Sequence, residues 1–388
     1  MTETAGITGT RLRVARQARG FSQQQLAGMA GVSRQAVSAV EAGHSDPSLR
    51  VAFALAQALG MTVEGLFGPG DLAQPVPAVP VARADEASTH DAPDGPGGRV
   101  LLTPVGERFV ALPLRGDAAA GMGFLAAGGI RVPAAAGPVV AAGPVATAGT
   151  IAVRPIEPPR PTLVVAGCDP ALPLLAAPLG LLDPPVSFAW WPCGSQEALR
   201  LAAAGLVHVA GVHLRDAEGG YNATAATGLP GSAEVVGFTA WREGLAVRPE
   251  LAGAVGGVDS LVKQQLRVVN REAGAEARRL LDRELDRLSI DPAEIPGYGT
   301  SAAGHLQVAS AVTAGLADAG VASEPAARAY GLGFVPLADE RFDLVLPGAH
   351  LGSREVQGLL KALTSPLLLD QLASLPGYDI SACGDRLR

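Results

Sequence analysis

Apolar positions change their period three times along the chain. From Leu12 to Phe67 they recur every three or four residues, the spacing of a single helix face. A first helix carries Leu12, Ala15 and Arg16 and stops at Gly20. Ser22 caps a second over 23–30, and Gln25 completes a capping box. Gly31 makes the turn, and Ser33 caps a third helix over 34–42 that Gly43 ends. Asp46-Pro47-Ser48 starts a fourth over 49–59, closed by Gly60, and Thr62 caps a fifth over 63–67. Five short helices around a Leu/Val/Ala core predict an all-α domain over 1–68.

The pattern then breaks. Residues 69–98 are rich in Pro, Asp, Gly and Ala and predict a flexible linker. Over 99–158, short apolar runs such as Val100-Leu101-Leu102 and Ile151-Ala152-Val153 alternate with Gly and Pro, predicting a small β-rich connector. The Ala/Gly/Pro run of 128–149 is close to low complexity. From 159 to 388 strands and helices alternate. The expected strands are 162–167, 186–190, 207–212, 235–241, 246–247, 333–337 and 343–346. The expected helices are 170–181, 195–204, 261–266, 276–288, 306–319, 354–363 and 366–374. This order predicts a two-lobed α/β domain with largely parallel sheets covered on both faces.

Composition narrows the function. With 388 residues, 48% of them hydrophobic and 17% charged, there is material for two or three domains with buried cores. A net charge of −7 excludes a polyelectrolyte DNA binder but not a local basic face. The chain shows no apolar stretch long enough for a membrane helix, and the arginine-rich start argues against a secretory signal. Cys168, Cys193 and Cys383 form neither a disulfide framework nor a zinc spacing, so a reducing cytoplasm and no metal site are expected. There is no Gly-x-Ser-x-Gly, Walker loop or clear acid–base pair, so no enzyme is expected. Cys168, His213 and Asp169 can be drawn as a triad, but nothing in their spacing requires one.

Phe21-Ser22-Gln23-Gln24-Gln25-Leu26-Ala27, Gly31-Val32-Ser33-Arg34-Gln35-Ala36-Val37-Ser38, Glu41-Ala42-Gly43 and Pro47 resemble the Cro/phage-repressor (XRE) helix-turn-helix family over roughly 57 residues. The resemblance implies that the third helix enters the major groove of a double-stranded DNA operator. Arg34, Gln35 and Ser38 then stand where base-reading side chains project, and Ser22, Gln23 and Ser33 where phosphates are held. Glu41 reads as structural, since the family pairs it with an arginine matching Arg16. Arg13 and Arg19 are either phosphate contacts or a solvated face. Six arginines against four acids up to Phe67 leave only +2, so a homodimer on paired half-sites is expected.

The C-terminal segments Val165-Ala166-Gly167-Cys168-Asp169-Pro170, Gly194-Ser195-Gln196-Glu197, Gly211-Val212-His213, Gly220-Tyr221-Asn222 and Val268-Val269-Asn270-Arg271-Glu272, with Arg278 and His305, resemble the type-2 periplasmic-binding-protein superfamily. More narrowly they resemble cytoplasmic versions related to molybdate-binding proteins. The Asn-Arg-Glu block continues Ala273-Gly274-Ala275-Glu276 where relatives read Pro-Gly-Ser-Gly, which removes a hydroxyl donor. The resemblance implies a cleft lined by Cys168, Asp169, Gly194, Ser195, His213, Tyr221, Asn222, Asn270, Arg271, Arg278, Ser301 and His305. Helix N-termini beginning near 169, 194, 274 and 300 would favour an anion. Hinges are expected near 237–239 and 333–335. No cofactor is required. The implied effector is molybdate or tungstate, with a molybdopterin-type cofactor as the alternative.

Overall fold

The computed structural model describes residues 12–67 (except 14, 18, 43, 44 and 46), 75–81, 98–114, 125–132 and 149–387 (except 216–219, 223, 224, 226, 228 and 230). The chain divides into two compact units. The first comprises Met1–Pro75 with Arg154–Ile156, and the second Val76–Val153 with Glu157–Arg388.

The first unit is helical, with helices Gln23–Ala30, Arg34–Glu41, Leu49–Ala58 and Val63–Phe67 after helical residues at 12–13 and 15–17. Leu12, Leu26, Val37, Leu55, Leu59 and Leu66 close on one another as its core. Caps set the boundaries. The hydroxyls of Ser22, Ser33 and Ser48 accept the Gln25, Ala36 and Val51 N–H groups, and Gly31 takes the left-handed conformation, φ 63°, that ends the second helix. Gly43 and Asp46 lie outside the described residues.

From Val76 the chain forms a closed five-stranded barrel of order β1-β3-β2-β4-β5. Its strands are β1 (Val76–Pro80), β2 (Arg99–Val105), β3 (Arg108–Pro113), β4 (Gly129–Val132) and β5 (Ile151–Pro155). β1 falls inside the stretch read as linker. Its prolines hid it, but β1 pairs with β3 and β5, where Pro80 and Pro77 fit the ladder. Most of the 128–149 run lies outside the described residues.

The two-lobed domain follows. β6 (Thr162–Gly167), β7 (Ser187–Pro192) and β8 (Val209–Val212) are parallel neighbours in the first lobe. β10 (Val268–Arg271), β11 (Ser301–Ala302) and β12 (Ala319–Ser323) are parallel neighbours in the second. Two fifteen-residue strands, β9 (Ala233–Val247) and β13 (Gly333–Pro347), run antiparallel through both lobes and join them into one sheet. The expected largely parallel sheet is therefore mixed, because its two central strands run against their neighbours.

The sequence splits each crossing strand in two, and the structure unites them. Gly237 lies inside one expected strand and Gly244 in the gap before the next, and both mark close backbone approaches. A Cβ on Gly237 would lie 2.2 Å from the Ala382 carbonyl oxygen, and one on Gly244 2.1 Å from that of Val335. Residues 333–335 pair with 245–247 inside the second lobe, so the crossing in β13 lies further on, between register shifts at Pro336/Ala338 and Phe342/Asp343.

Two helices also differ. The expected helix over 170–181 is a 3-10 turn, Leu172–Leu175, followed by Ala176–Gly180, with Pro173 and Pro178 limiting backbone donors. The expected helix over 306–319 is His305–Thr313, after which Gly315 turns, φ 73°, into β12.

Helices and barrel cover the sheet. In the first lobe Leu163, Val165, Phe342 and Leu344 pack against Val356, Leu359, Leu368 and Leu372. On the opposite face Val164, Ala166 and Trp191 meet Ala198 and Leu201, together with Val105, Val110 and Leu112 of the barrel. In the second lobe Leu245, Val268 and Val321 pack on Leu280, Leu281 and Leu285 of helix Glu276–Leu288.

Candidate functional site

The helix expected to face DNA is Arg34–Glu41. Val37, Val40 and Glu41 are buried, while Arg34, Gln35 and Ser38 are exposed, so the three expected base-reading side chains share its free face. Ser22 and Ser33 act as caps here, and their hydroxyls accept backbone N–H groups. Gln23 donates to Glu41 Oε2 at 2.9 Å. Arg16 forks onto Glu41, with Nε 2.6 Å from Oε1 and Nη2 3.1 Å from Oε2, and its Nη1 donates to the Phe21 carbonyl. Arg13 reaches the Glu41 carbonyl oxygen and Arg19 that of Ala15. Glu41 thus ties three helical segments together.

Burial alone would raise the Glu41 pKa, but the Arg16 and Gln23 hydrogen bonds hold it below the ordinary value. A carboxylate with a depressed folded pKa stabilises the fold fully above its unfolded pKa of about 4.3. That contribution is lost as pH falls through the folded value. The helical unit is therefore expected to melt at lower temperature as pH drops below about 4.3. Glu41→Gln should flatten that dependence in a pH series of thermal melts; an unchanged slope would assign it to other carboxylates.

The second site is a cleft of about 650 Å³ between the lobes. One wall comes from the ends of β6 and β7: Cys168, Pro170, Pro173, Phe188, Trp190 and Cys193. The other comes from Arg271 at the end of β10 and from Gly304, His305, Leu306, Gln307 and Ser310 at the start of helix His305–Thr313. Gly304 gives that helix no side-chain cap, so its first turn presents backbone N–H groups at the cleft.

Of the expected ligand contacts, Cys168, Arg271 and His305 line this cleft. The other nine are placed as follows. Asp169 is fully buried. Its Oδ1 accepts the Ala171 N–H at 2.8 Å and the Tyr378 hydroxyl at 2.6 Å, and its Oδ2 accepts the Thr239 hydroxyl at 2.6 Å. Gly194 is the N-cap of helix Ser195–Ala203, and the Ser195 hydroxyl accepts the His213 N–H at 3.0 Å. Tyr221 donates to the Asp339 carbonyl. Asn222, φ 56°, accepts the Leu214 N–H and donates to Asp343 Oδ2, stapling its loop to the β13 crossing. Asn270 accepts the Arg271 N–H and donates to the Tyr298 carbonyl. Arg278 donates to the Arg271 carbonyl and lies 5.0 Å over the Tyr298 ring. Ser301 is exposed on β11.

Behind the cleft wall lies a polar cluster that the sequence reading found only in part. His213 and His305 rings lie 5.9 Å apart, each also near the Trp241 ring. His213 Nδ1 is 3.6 Å from Glu340 Oε2, and His305 Nδ1 is 3.4 Å from Glu243 Oε1. Arg271 binds Glu272 through Nε and Nη2, and its Nη1 lies 3.3 Å from His305 Nδ1. Burial would lower the His213 pKa, but Cys168, Glu340 and Glu243 hold it well above the ordinary value. His305 is pushed well below by burial and by Arg271 and His213. Burial, with Glu340 nearby, raises Glu243 to about 7. Glu243 follows Trp241-Arg242 and Glu340 stands in Asp339-Glu340-Arg341, so both read as charged residues in turns between two short strands, and no local signal marks them as buried.

Comparison with known proteins finds both domains. A helix-turn-helix family model matches residues 12–66, and a PBP superfamily domain model matches residues 177–364. YvgK of Bacillus subtilis is 31% identical over 234 residues, 58% of this chain and 73% of YvgK. A Clostridium pasteurianum protein encoded in the 5′ region of a 2Fe-2S ferredoxin gene is 35% identical over 106 residues, 27% of this chain and 94% of that protein. The HTH-type transcriptional regulator MJ0272 of Methanocaldococcus jannaschii is 40% identical over 57 residues, 15% of this chain and 86% of MJ0272. The chain therefore belongs to the family of YvgK, and it joins a helix-turn-helix domain to a PBP superfamily domain.

Proposed function

We propose that this chain is a DNA-binding transcription regulator whose effector binds in the interlobe cleft. The observation that carries this reading is the pairing of a free recognition face at Arg34, Gln35 and Ser38 with a cleft into which Arg271, His305 and an uncapped helix N-terminus converge. Arg271 and the first-turn N–H groups suit an anionic group on the ligand. Phe188, Trp190, Pro173 and Leu306 give the rest of the cleft an apolar wall. A volume of about 650 Å³ with such walls supports a ligand larger than a tetrahedral oxyanion. Of the two effectors implied by family resemblance, the molybdopterin-type cofactor fits that description better than molybdate or tungstate. The effector shifts DNA affinity only if it binds one lobe arrangement better than another, so closure about the β9 and β13 crossings is the element it biases. A homodimer on paired half-sites supplies the phosphate contacts that a single weakly basic domain lacks.

Thermal stabilisation of the full chain tests the effector class, because a ligand of the folded state raises its stability. A shift is expected with a molybdopterin-cofactor extract and none with molybdate, tungstate, sulfate or phosphate. Arg271→Gln should abolish the shift, and the extract should alter operator binding of the parent chain alone. A shift with molybdate or tungstate by themselves would return the reading to an oxyanion sensor.

A further inference from the structure

The inner wall of the cleft carries a donor set that effector binding alone does not use. Cys168 follows β6, His213 follows β8, and His305 opens helix His305–Thr313. These three elements are remote in the chain, yet the ligand atoms of the three buried residues lie within 4.8 Å of one another. Each histidine turns Nδ1 toward a buried carboxylate, Glu340 for His213 and Glu243 for His305. Carboxylate behind imidazole is the arrangement that orients histidine ligands and raises their basicity. His213 Nδ1, His305 Nε2, Glu243 Oε1 and both Glu340 carboxylate oxygens have no hydrogen-bond partner among the described residues. Arg271 forks onto Glu272, and its charge also favours the ionised form of Glu243. Carboxyl groups buried with so few donors suit a cation beside them, a place that the His213 ring takes when no metal is bound.

We propose that Cys168, His213 and His305 form a binding site for a transition-metal dication of borderline softness, of which Zn²⁺ is the type. One thiolate and two imidazoles suit such an ion and disfavour Mg²⁺ and Ca²⁺, which take oxygen ligands. Cys168 Sγ and Nε2 of each histidine are the ligands, and Glu340 and Glu243 are positioning residues behind the rings. Binding releases the Cys168 thiol proton and the His213 Nε2 proton to solvent, and His213 keeps its Nδ1 proton toward Glu340. At His305 it places the ring proton on Nδ1 toward Glu243, which displaces both the Ser323 N–H, now 3.2 Å from that nitrogen, and Arg271 Nη1, now 3.3 Å from it. Three protein ligands leave a fourth position free, and Cys168 and His305 both line the cleft. Only the use of that position by an effector rests on the function proposed above; metal binding does not.

The test titrates the full chain, stripped with a chelator, with Co²⁺ and then Zn²⁺. About one equivalent of Co²⁺ should give tetrahedral visible absorption with a sulfur-to-cobalt charge-transfer band, and Zn²⁺ should displace it. Cys168→Ser should lose the charge-transfer band, whereas Cys383→Ser should keep it. Glu340→Gln should keep the band but weaken Co²⁺ binding roughly ten- to a hundredfold. A parent chain without the charge-transfer band overturns the proposal, and this needs no variant to fold. A band that survives Cys168→Ser overturns it as well. Thermal shifts of the metal-free chain with the cofactor extract read effector binding separately, so either idea can fail alone.

Discussion

Glu41→Ala is expected to unfold the helix-turn-helix unit and abolish operator binding. Glu41 is 4% exposed and holds Arg16, Gln23 and Arg13 through its side chain or backbone. Removing the carboxylate leaves the Arg16 guanidinium largely buried without its partner. Breaking a buried pair from one side costs about 3–5 kcal/mol. A helical domain of this size commonly has little more than that to lose. Loss of one low-temperature transition in calorimetry, with the remaining transition unchanged, would establish the effect. Glu41→Gln retains the Gln23 and Arg16 hydrogen-bond acceptor and should be the milder change. A Glu41→Ala protein that still binds its operator with parental affinity would show that the Arg16 fork contributes little.

Asp169→Ala is expected to destabilise the two-lobed domain by roughly 3 kcal/mol or more, since it orphans three buried donors at about 1–3 kcal/mol each. Those donors are the Ala171 N–H and the hydroxyls of Thr239 on β9 and Tyr378 near the C-terminal end. The carboxyl therefore ties the start of a helical segment to a crossing strand and to the segment that pairs with it. Burial raises the Asp169 pKa even though all three groups donate to it. Asp169→Asn keeps an acceptor for Ala171, and the two hydroxyls can rotate to suit an amide. It should lose far less stability and keep any effector response. Denaturant melts alongside effector titrations separate the roles. An Asp169→Asn chain of normal stability that no longer responds to effector would make Asp169 a ligand contact, as the family resemblance implies.

The helix-turn-helix unit was almost fully legible in the sequence. Its signals are local: serine caps, the Ser22/Gln25 capping box, the Gly31 turn and three- to four-residue apolar spacing all act within a few positions. Helices Gln23–Ala30 and Val63–Phe67 lie where their caps place them, and Glu276–Leu288 and Arg354–Leu363 in the later domain lie over the expected ranges. The crossing strands were legible only in pieces. The charged stretches around Gly244 and at Asp339-Glu340-Arg341 read as interruptions until β9 and β13 are seen to pair through them. β1 was hidden for a similar reason, since a proline-rich strand is recognisable only through the partners that tolerate it.

The cleft divides along the same line. Sequence alone determined that Arg34, Gln35 and Ser38 would share an exposed face, because a helix's own period sets that relation. It also brought forward Cys168, Arg271 and His305 as residues at strand and helix ends. Tertiary structure alone decided which polar side chains are satisfied by the protein and which meet in the cleft. Ser195, Asn222 and Asn270 turn inward to backbone partners, whereas Glu243 and Glu340 come from the two crossing strands to stand behind His305 and His213. Nothing local could announce that meeting. Each pair joins residues from separate elements, and their charges interact strongly only after folding has removed the water between them.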